Sequence, residues 1–171
     1  MINTDCSRAI LLGIKSASTL LAIFIAAVII HEGAHYIAAL LVSIPIAQFS
    51  WFDPYYSAPV FVSASKEYTI EVVIVSYAGG LFTGTLLLSV LVFGRNWLKQ
   101  SLYGWFLGFY LATFGAWQVC QGILEGALHE TYISDAANLL FGPTQYIGYA
   151  AAFAGMTLYW LLMPRYGKLK I

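Results

Sequence analysis

Four long apolar stretches dominate this sequence and restrict the folds that it can adopt. They cover about residues 9–44, 70–93, 101–124 and 144–163. A helix of about 20 apolar residues crosses the hydrocarbon core of a bilayer, and each stretch reaches that length. The pattern predicts an all-α membrane protein with about four transmembrane helices in a single transmembrane domain, residues 1–171. The first stretch exceeds one upright span, so we expect a long helix whose first turns lie in the membrane interface.

The composition agrees with a lipid environment and argues against other classes of protein. Apolar residues make up 60% of the chain and charged residues 9%, whereas soluble domains average about 25% charged residues. So little charge would not cover the surface of a soluble enzyme. A formal net charge of +0 gives no basic surface for nucleic acid. Membrane lipids are therefore the expected surroundings, and we expect no cleaved signal peptide because the apolar part is too long for one.

The basic residues predict the orientation of the spans. They precede the first span, separate the second from the third, and follow the fourth. With four spans, these three regions share one side of the membrane. The opposite side has Lys66 as its single base, among several acidic residues. Because positive charge favours the cytoplasmic side, we predict an integral, multi-pass membrane protein with both termini in the cytoplasm.

An aromatic segment, residues 46–70, connects the first two spans. It is rich in aromatic and β-branched residues, and Pro54 and Pro59 interrupt it. Residues 47–52 and 59–63 have the composition of two short strands, which predicts a hairpin at the membrane interface. An irregular aromatic loop is the alternative interpretation.

The first span contains a motif that indicates a metal site. His31, Glu32 and His35 form H-E-x-x-H within VIIHEGAHYIAALL. Residues four apart share a face of a helix, so two imidazoles can bind one ion and the glutamate can reach a water on it. Zinc suits this set because positions remain open for a carboxylate and a water. Polar side chains within an apolar span are costly unless they are paired or ligated; a polar cluster that packs helices is the alternative.

A catalytic zinc site also needs a third protein ligand. By the charge-based topology, the segment after the third span returns to the side on which the H-E-x-x-H motif lies. That segment supplies four candidates, namely Glu125, His129, Glu130 and Asp135. We favour Asp135 as the ligand, Asn138 as a residue that holds the substrate or the carboxylate, and His129 as the rival ligand. Taken singly, Asp135 could instead cap a helix, and His129 could be an interfacial histidine.

Three segments resemble the site-2 protease family of intramembrane zinc metalloproteases. They are HEGAHYIAALL in the first span, YAGGLFTG in the second and SDAANLL after the third. The resemblance implies that zinc is bound by three side chains and that Glu32 is the catalytic base. The implied zinc ligands are His31, His35 and Asp135.

The resemblance also gives expectations for the second span and for the aromatic segment. Gly79 and Gly80 stand where the family often has a Gly-Pro turn, which would place them beside the site. Residues 46–70 resemble the membrane-associated strands that hold an extended substrate. A helix-packing seam is the alternative for the glycines, because Gly80 and Gly84 have the small-xxx-small spacing.

Together these features predict an intramembrane zinc metalloprotease that hydrolyses peptide bonds of membrane-associated protein substrates. The alternative is a non-catalytic accessory or structural subunit of a larger membrane complex, with a protease-like fold. The protease would bind a transmembrane protein as its substrate, whereas the accessory protein would bind permanently to partner subunits. A transporter or channel agrees less well, because the polar residues cluster at one end and do not line a path across the bilayer.

Overall fold

Four helices and one β-hairpin make up the described part of the chain. The computed structural model describes residues 4–54, 58–63, 69–127 and 145–163. The elements, in chain order, are α1 (Thr4–Leu41), β1 (Ile46–Asp53), β2 (Ala58–Ser63), α2 (Ile70–Leu98), α3 (Leu102–Ala127) and α4 (Gln145–Leu162). The helices coincide with the four apolar stretches, so the mostly helical class is confirmed.

Two of these helices are long and apolar enough to cross a membrane, α1 over Ser7–Leu41 and α2 over Ile70–Leu98. Aromatic residues, glycines and glutamines lower the mean hydropathy of α3 and α4. As predicted, α1 is one continuous helix; its 38 residues extend about 57 Å, nearly twice the thickness of a hydrocarbon core. Large apolar side chains are exposed along it, including those of Ile10, Leu11, Ile14, Leu21, Phe24, Ile25, Ile29, Ile37 and Leu40.

A Schellman motif ends α1 and turns the chain into the hairpin. Ser43 has a φ of 58°. The N–H of Ile44 donates to the carbonyl of Ala39 at 2.9 Å, and that of Ser43 donates to the carbonyl of Leu40 at 3.4 Å. Pro45 follows and cannot continue a helix. The carbonyls of Ala38, Ala39 and Leu40 are thereby satisfied within the chain, and the hairpin begins directly after the helix.

The aromatic segment forms the predicted hairpin. β1 and β2 pair in antiparallel fashion, with Phe49 opposite Phe61. Phe49 stacks on Tyr36 of α1 at a centroid distance of 4.2 Å and meets the edge of Trp51 at 4.7 Å. These rings hold the hairpin against the C-terminal half of α1. Its placement at a membrane interface stays a prediction.

Successive helices run in opposite directions. The C-terminal half of α1 therefore contacts both the N-terminal half of α2 and the C-terminal half of α3. At one end the Tyr103 hydroxyl of α3 donates to Thr19 of α1 at 2.8 Å. At the other end His31 of α1 contacts Gln118 of α3. A cluster of buried apolar side chains extends from the first end to the middle of the bundle and includes Leu91, Leu98, Trp105, Tyr159 and Met163. The opposite end is the polar one.

Glycines let the backbones of α2 and α3 touch. Gly80 and Gly122 face one another, and a Cβ on either would collide with the backbone of the other helix. A Cβ at Gly84 would lie 2.6 Å from Val119. The small-xxx-small spacing thus corresponds to a packing seam between α2 and α3, and Gly80 belongs to it.

Replacement of a seam glycine should destabilise this helix pair. We expect Gly122→Ala to lower the free energy of unfolding by about 1–3 kcal/mol, because the methyl group cannot enter without separating the backbones. Gly13→Ala is the control, since a Cβ there has nothing within 4 Å. It should be neutral or slightly stabilising. Equal unfolding midpoints for the two variants in detergent would contradict close backbone packing of α2 against α3 at Gly122.

Candidate metal centre

The polar end of the bundle brings His31, His35 and Glu125 together. The histidines lie one helical turn apart on α1, and Glu125 lies near the C-terminus of α3. The Nε2 atoms of His31 and His35 are 3.4 and 3.7 Å from Oε2 of Glu125. All three potential ligand atoms lie within 4.8 Å of one another. Both histidines are buried and Glu125 is partly buried, so the group can hold a metal ion inside the bundle.

Hydrogen bonds on the far side of each imidazole determine which nitrogen faces this cluster. Nδ1 of His35 lies 2.6 Å from the carbonyl oxygen of Val75, which can only accept, so Nδ1 donates. Nδ1 of His31 donates in the same way to Oε1 of Gln118 at 2.9 Å. In the neutral form of both rings, Nε2 therefore carries a lone pair directed at Glu125. Metal-binding histidines characteristically have such a partner on their other nitrogen.

The carboxylate of Glu125 completes a set of three electron-pair donors. Its Oε1 accepts a hydrogen bond from Gln121 at 2.8 Å, whereas Oε2 is buried and has no hydrogen-bond donor among the described residues. A proton on one imidazole would leave the lone pair of the other facing the carboxylate. One metal ion could accept the electron pairs of both imidazoles and of the carboxylate. Ligands of a tetrahedral zinc lie about 3.4 Å apart, close to the separations of Glu125 from the two rings.

Gly79 provides the space that the two imidazoles occupy. It lies on α2, and a Cβ there would collide with Nε2 of His35 and lie 2.7 Å from Nε2 of His31. The backbone of α2 therefore forms one wall of the centre. Gly79 lies beside the predicted metal ligands, whereas its neighbour Gly80 packs against Gly122 in the α2–α3 seam.

Glu32 is held by the hairpin. Its Oε2 accepts a hydrogen bond from the backbone N–H of Phe61 at 3.1 Å. The ring of Phe61 stacks on His35, with centroids 5.8 Å apart and planes inclined by 17°. Strand β2 thus covers one side of the centre and fixes one oxygen of the glutamate. Glu32 and His31 also line a cavity between α1, α3 and α4.

The structure brings together the two histidines that the motif identified with one of the four candidates for the third ligand, Glu125. Glu125 is one of the four acids and histidines that the sequence supplies after the third apolar stretch. Asp135, Asn138 and His129 lie outside the described residues, and their roles stay predictions.

Sequence reasoning missed the two glutamines that orient the ligands. Gln118, Gln121 and Glu125 have i, i+3, i+7 spacing on α3, which places them on one face of the helix. A polar stripe of this kind in an apolar stretch was the available signal. Comparisons of the chain with protein-family models, with curated proteins and with solved structures find no match.

Proposed function

We propose that this protein is an intramembrane zinc metalloprotease, similar to the site-2 protease family, which hydrolyses peptide bonds of membrane-associated protein substrates. One observation carries the proposal. Two imidazole nitrogens, of His31 and His35, and a carboxylate oxygen of Glu125 lie close together inside the bundle, next to the glutamate of H-E-x-x-H. Two histidines and a glutamate are a ligand set of catalytic zinc in metalloproteases, with one position left for water.

We further propose that the four helices cross a bilayer with both termini on the cytoplasmic side. The length and apolar character of α1 and α2 support the membrane crossing, as do the exposed apolar side chains on α2, α3 and α4. The orientation rests on the distribution of the basic residues along the sequence. Examples are Phe82, Val90, Phe93, Phe106, Phe109, Phe153 and Leu161. The candidate metal centre would then lie towards the side opposite the termini. The substrate would reach it from the lipid or from that side.

The residues of the centre have distinct tasks in this proposal. A zinc ion held by His31, His35 and Glu125 would lower the pKa of a bound water towards about 7 and polarise the peptide carbonyl. Glu32 accepts a proton from the water as its oxygen bonds to the carbonyl carbon. As the carbon–nitrogen bond breaks, Glu32 delivers that proton to the leaving nitrogen. Phe61 N–H holds Oε2 of Glu32, which leaves Oε1 as the proton acceptor.

One contact favours the second candidate, a non-catalytic accessory subunit. The hydrogen bond from Phe61 to Glu32 ties the hairpin to α1, and a purely structural glutamate would make the same bond. In that case a metal ion would stabilise the bundle without any reaction. The two candidates differ in whether Glu32 must carry a proton or need only accept a hydrogen bond.

Glu32→Gln separates these candidates, because glutamine keeps an acceptor for Phe61 N–H but is not a base. We expect cleavage to fall by about 10²- to 10⁴-fold with zinc content unchanged. The assay compares purified wild type and variant in liposomes that contain a single-span substrate with a fluorogenic cleavage site. Glu71→Gln, at the start of α2, is the control and should cleave normally. A metal-loaded wild type without activity would support the accessory role. A Glu32→Gln variant as active as wild type would show that Glu32 is not the catalytic base.

A further inference from the structure

A cavity of about 580 Å³ adjoins the candidate metal centre. It lies between α1, α3 and α4, and His31 and Glu32 form part of its wall. Its volume falls within the range of small-molecule and substrate sites. Phe24, at the other end of its α1 wall, precedes Glu32 by eight residues, which is about 12 Å along the helix. The cavity therefore extends from the metal centre towards the middle of the bundle.

The end of the cavity away from the centre is aromatic. Phe24, Tyr110 and Phe114 contribute to its wall, and Trp117 lines the cavity nearer the centre, next to Gln118 in the helix. Phe114 packs against Phe24 with centroids 5.8 Å apart and stacks on Tyr110 at 5.2 Å. Rings that contact one another in this way form a wall of defined shape. An occupant would make mainly apolar contacts there.

Most polar groups around the cavity are already engaged. The Thr113 hydroxyl donates to the carbonyl of Phe109 in its own helix, at 2.9 Å. Gln118 is bound to His31, and Gln121 is bound to Glu125. No lysine or arginine is among the described lining residues. A charged side chain at the aromatic end would lose its hydration and find no oppositely charged group among the described residues there, which is costly.

We propose that this cavity binds a large apolar side chain of the substrate, on a residue next to the bond that is cleaved. The inference rests on the proposed function, since it needs a peptide carbonyl at the metal centre. With that carbonyl beside His31 and Glu32, an adjacent side chain can enter the cavity alongside Trp117 and point towards Phe114. Substrates with phenylalanine, leucine or tryptophan at this position are selected over those with alanine or a charged residue.

Two zinc-binding peptide hydroxamates test this inference without any cleavage step. They share one backbone and differ only in the side chain next to the hydroxamate, benzyl or methyl. We expect the zinc-loaded wild type to bind the benzyl compound about 10- to 100-fold more tightly, as burial of an aromatic side chain predicts. Isothermal titration calorimetry in detergent gives both affinities.

Ala152→Trp on α4 fills the cavity, and Ala154→Trp is the matched control on the exposed face of the same helix. Ala152→Trp should remove the preference for benzyl but keep the affinity for the methyl compound, which reports an intact centre. Ala154→Trp should bind like wild type. Equal affinities of wild type for the two compounds, or loss of both in Ala152→Trp, overturn the cavity assignment and leave the protease proposal in place. Failure of wild type to bind either compound overturns both.

Discussion

Gly79→Ala should weaken metal binding strongly while the four helices remain folded. The added methyl group would occupy the position of Nε2 of His35 and press on His31, so at least one imidazole must leave the centre. Overpacking of this kind costs about 1–3 kcal/mol, and the displaced ring no longer meets Glu125. We expect zinc affinity to fall by about 100-fold or more, beyond the loss typical for a residue that only orients a ligand.

The matched control for this variant is Gly94→Ala on the same helix. A Cβ there would meet only Leu98, at 3.9 Å, so the variant should bind zinc like wild type. Zinc per chain is measured by mass spectrometry after dialysis, and circular dichroism reports the helix content. A Gly79→Ala protein that retains one tightly bound zinc would show that the imidazoles do not face α2 as described.

Glu125→Gln should weaken zinc binding by a similar factor of about 100-fold or more, because a charged ligand is replaced by a neutral one. The amide keeps the size of the side chain, so the contact with Gln121 can persist. Asp135→Asn is the informative comparison. If Glu125 completes the ligand set, Asp135→Asn should bind zinc with nearly unchanged affinity.

The opposite result would decide in favour of the sequence-based assignment. Loss of zinc in Asp135→Asn together with retention in Glu125→Gln would identify Asp135 as the third ligand. Glu125 would then be a neighbour that only approaches the histidines. Titration with a competing chelator of known affinity gives the zinc affinity of both variants under the same conditions.

The comparison of Glu125 with Asp135 shows where sequence reasoning reaches its limit. The charge distribution predicts that the segment after the third span lies on the same side of the membrane as the two histidines. In the structure Glu125, near the end of α3, contacts His31. The predicted apolar stretch ended at residue 124, which placed Glu125 in a connecting segment. The helix continues to Ala127, so the direction of Glu125 is set by the rotation of α3. That rotation depends on the contact of Gly122 with Gly80, a tertiary feature that hydropathy does not contain.

Local patterns were more informative for α1 and the hairpin. Helical spacing alone places His31 and His35 on one face, and the structure has their rings 4.9 Å apart. A segment of aromatic and β-branched residues that prolines interrupt predicts two strands, which are present. The bond from Phe61 to Glu32 could not be predicted, because it depends on how the hairpin docks on α1. The helices and strands themselves can be predicted from the sequence, but the close contacts between them cannot.

X-ray absorption spectroscopy at the zinc edge, combined with metal analysis of the purified protein, tests the central claim most directly. We predict one zinc per chain, coordinated by nitrogen and oxygen with the scattering pattern of two imidazoles. His31→Ala and His35→Ala should each lose the ion. A wild-type protein that stays metal-free after exposure to zinc, or one whose bound zinc is unaffected by loss of either histidine, would contradict the metal centre.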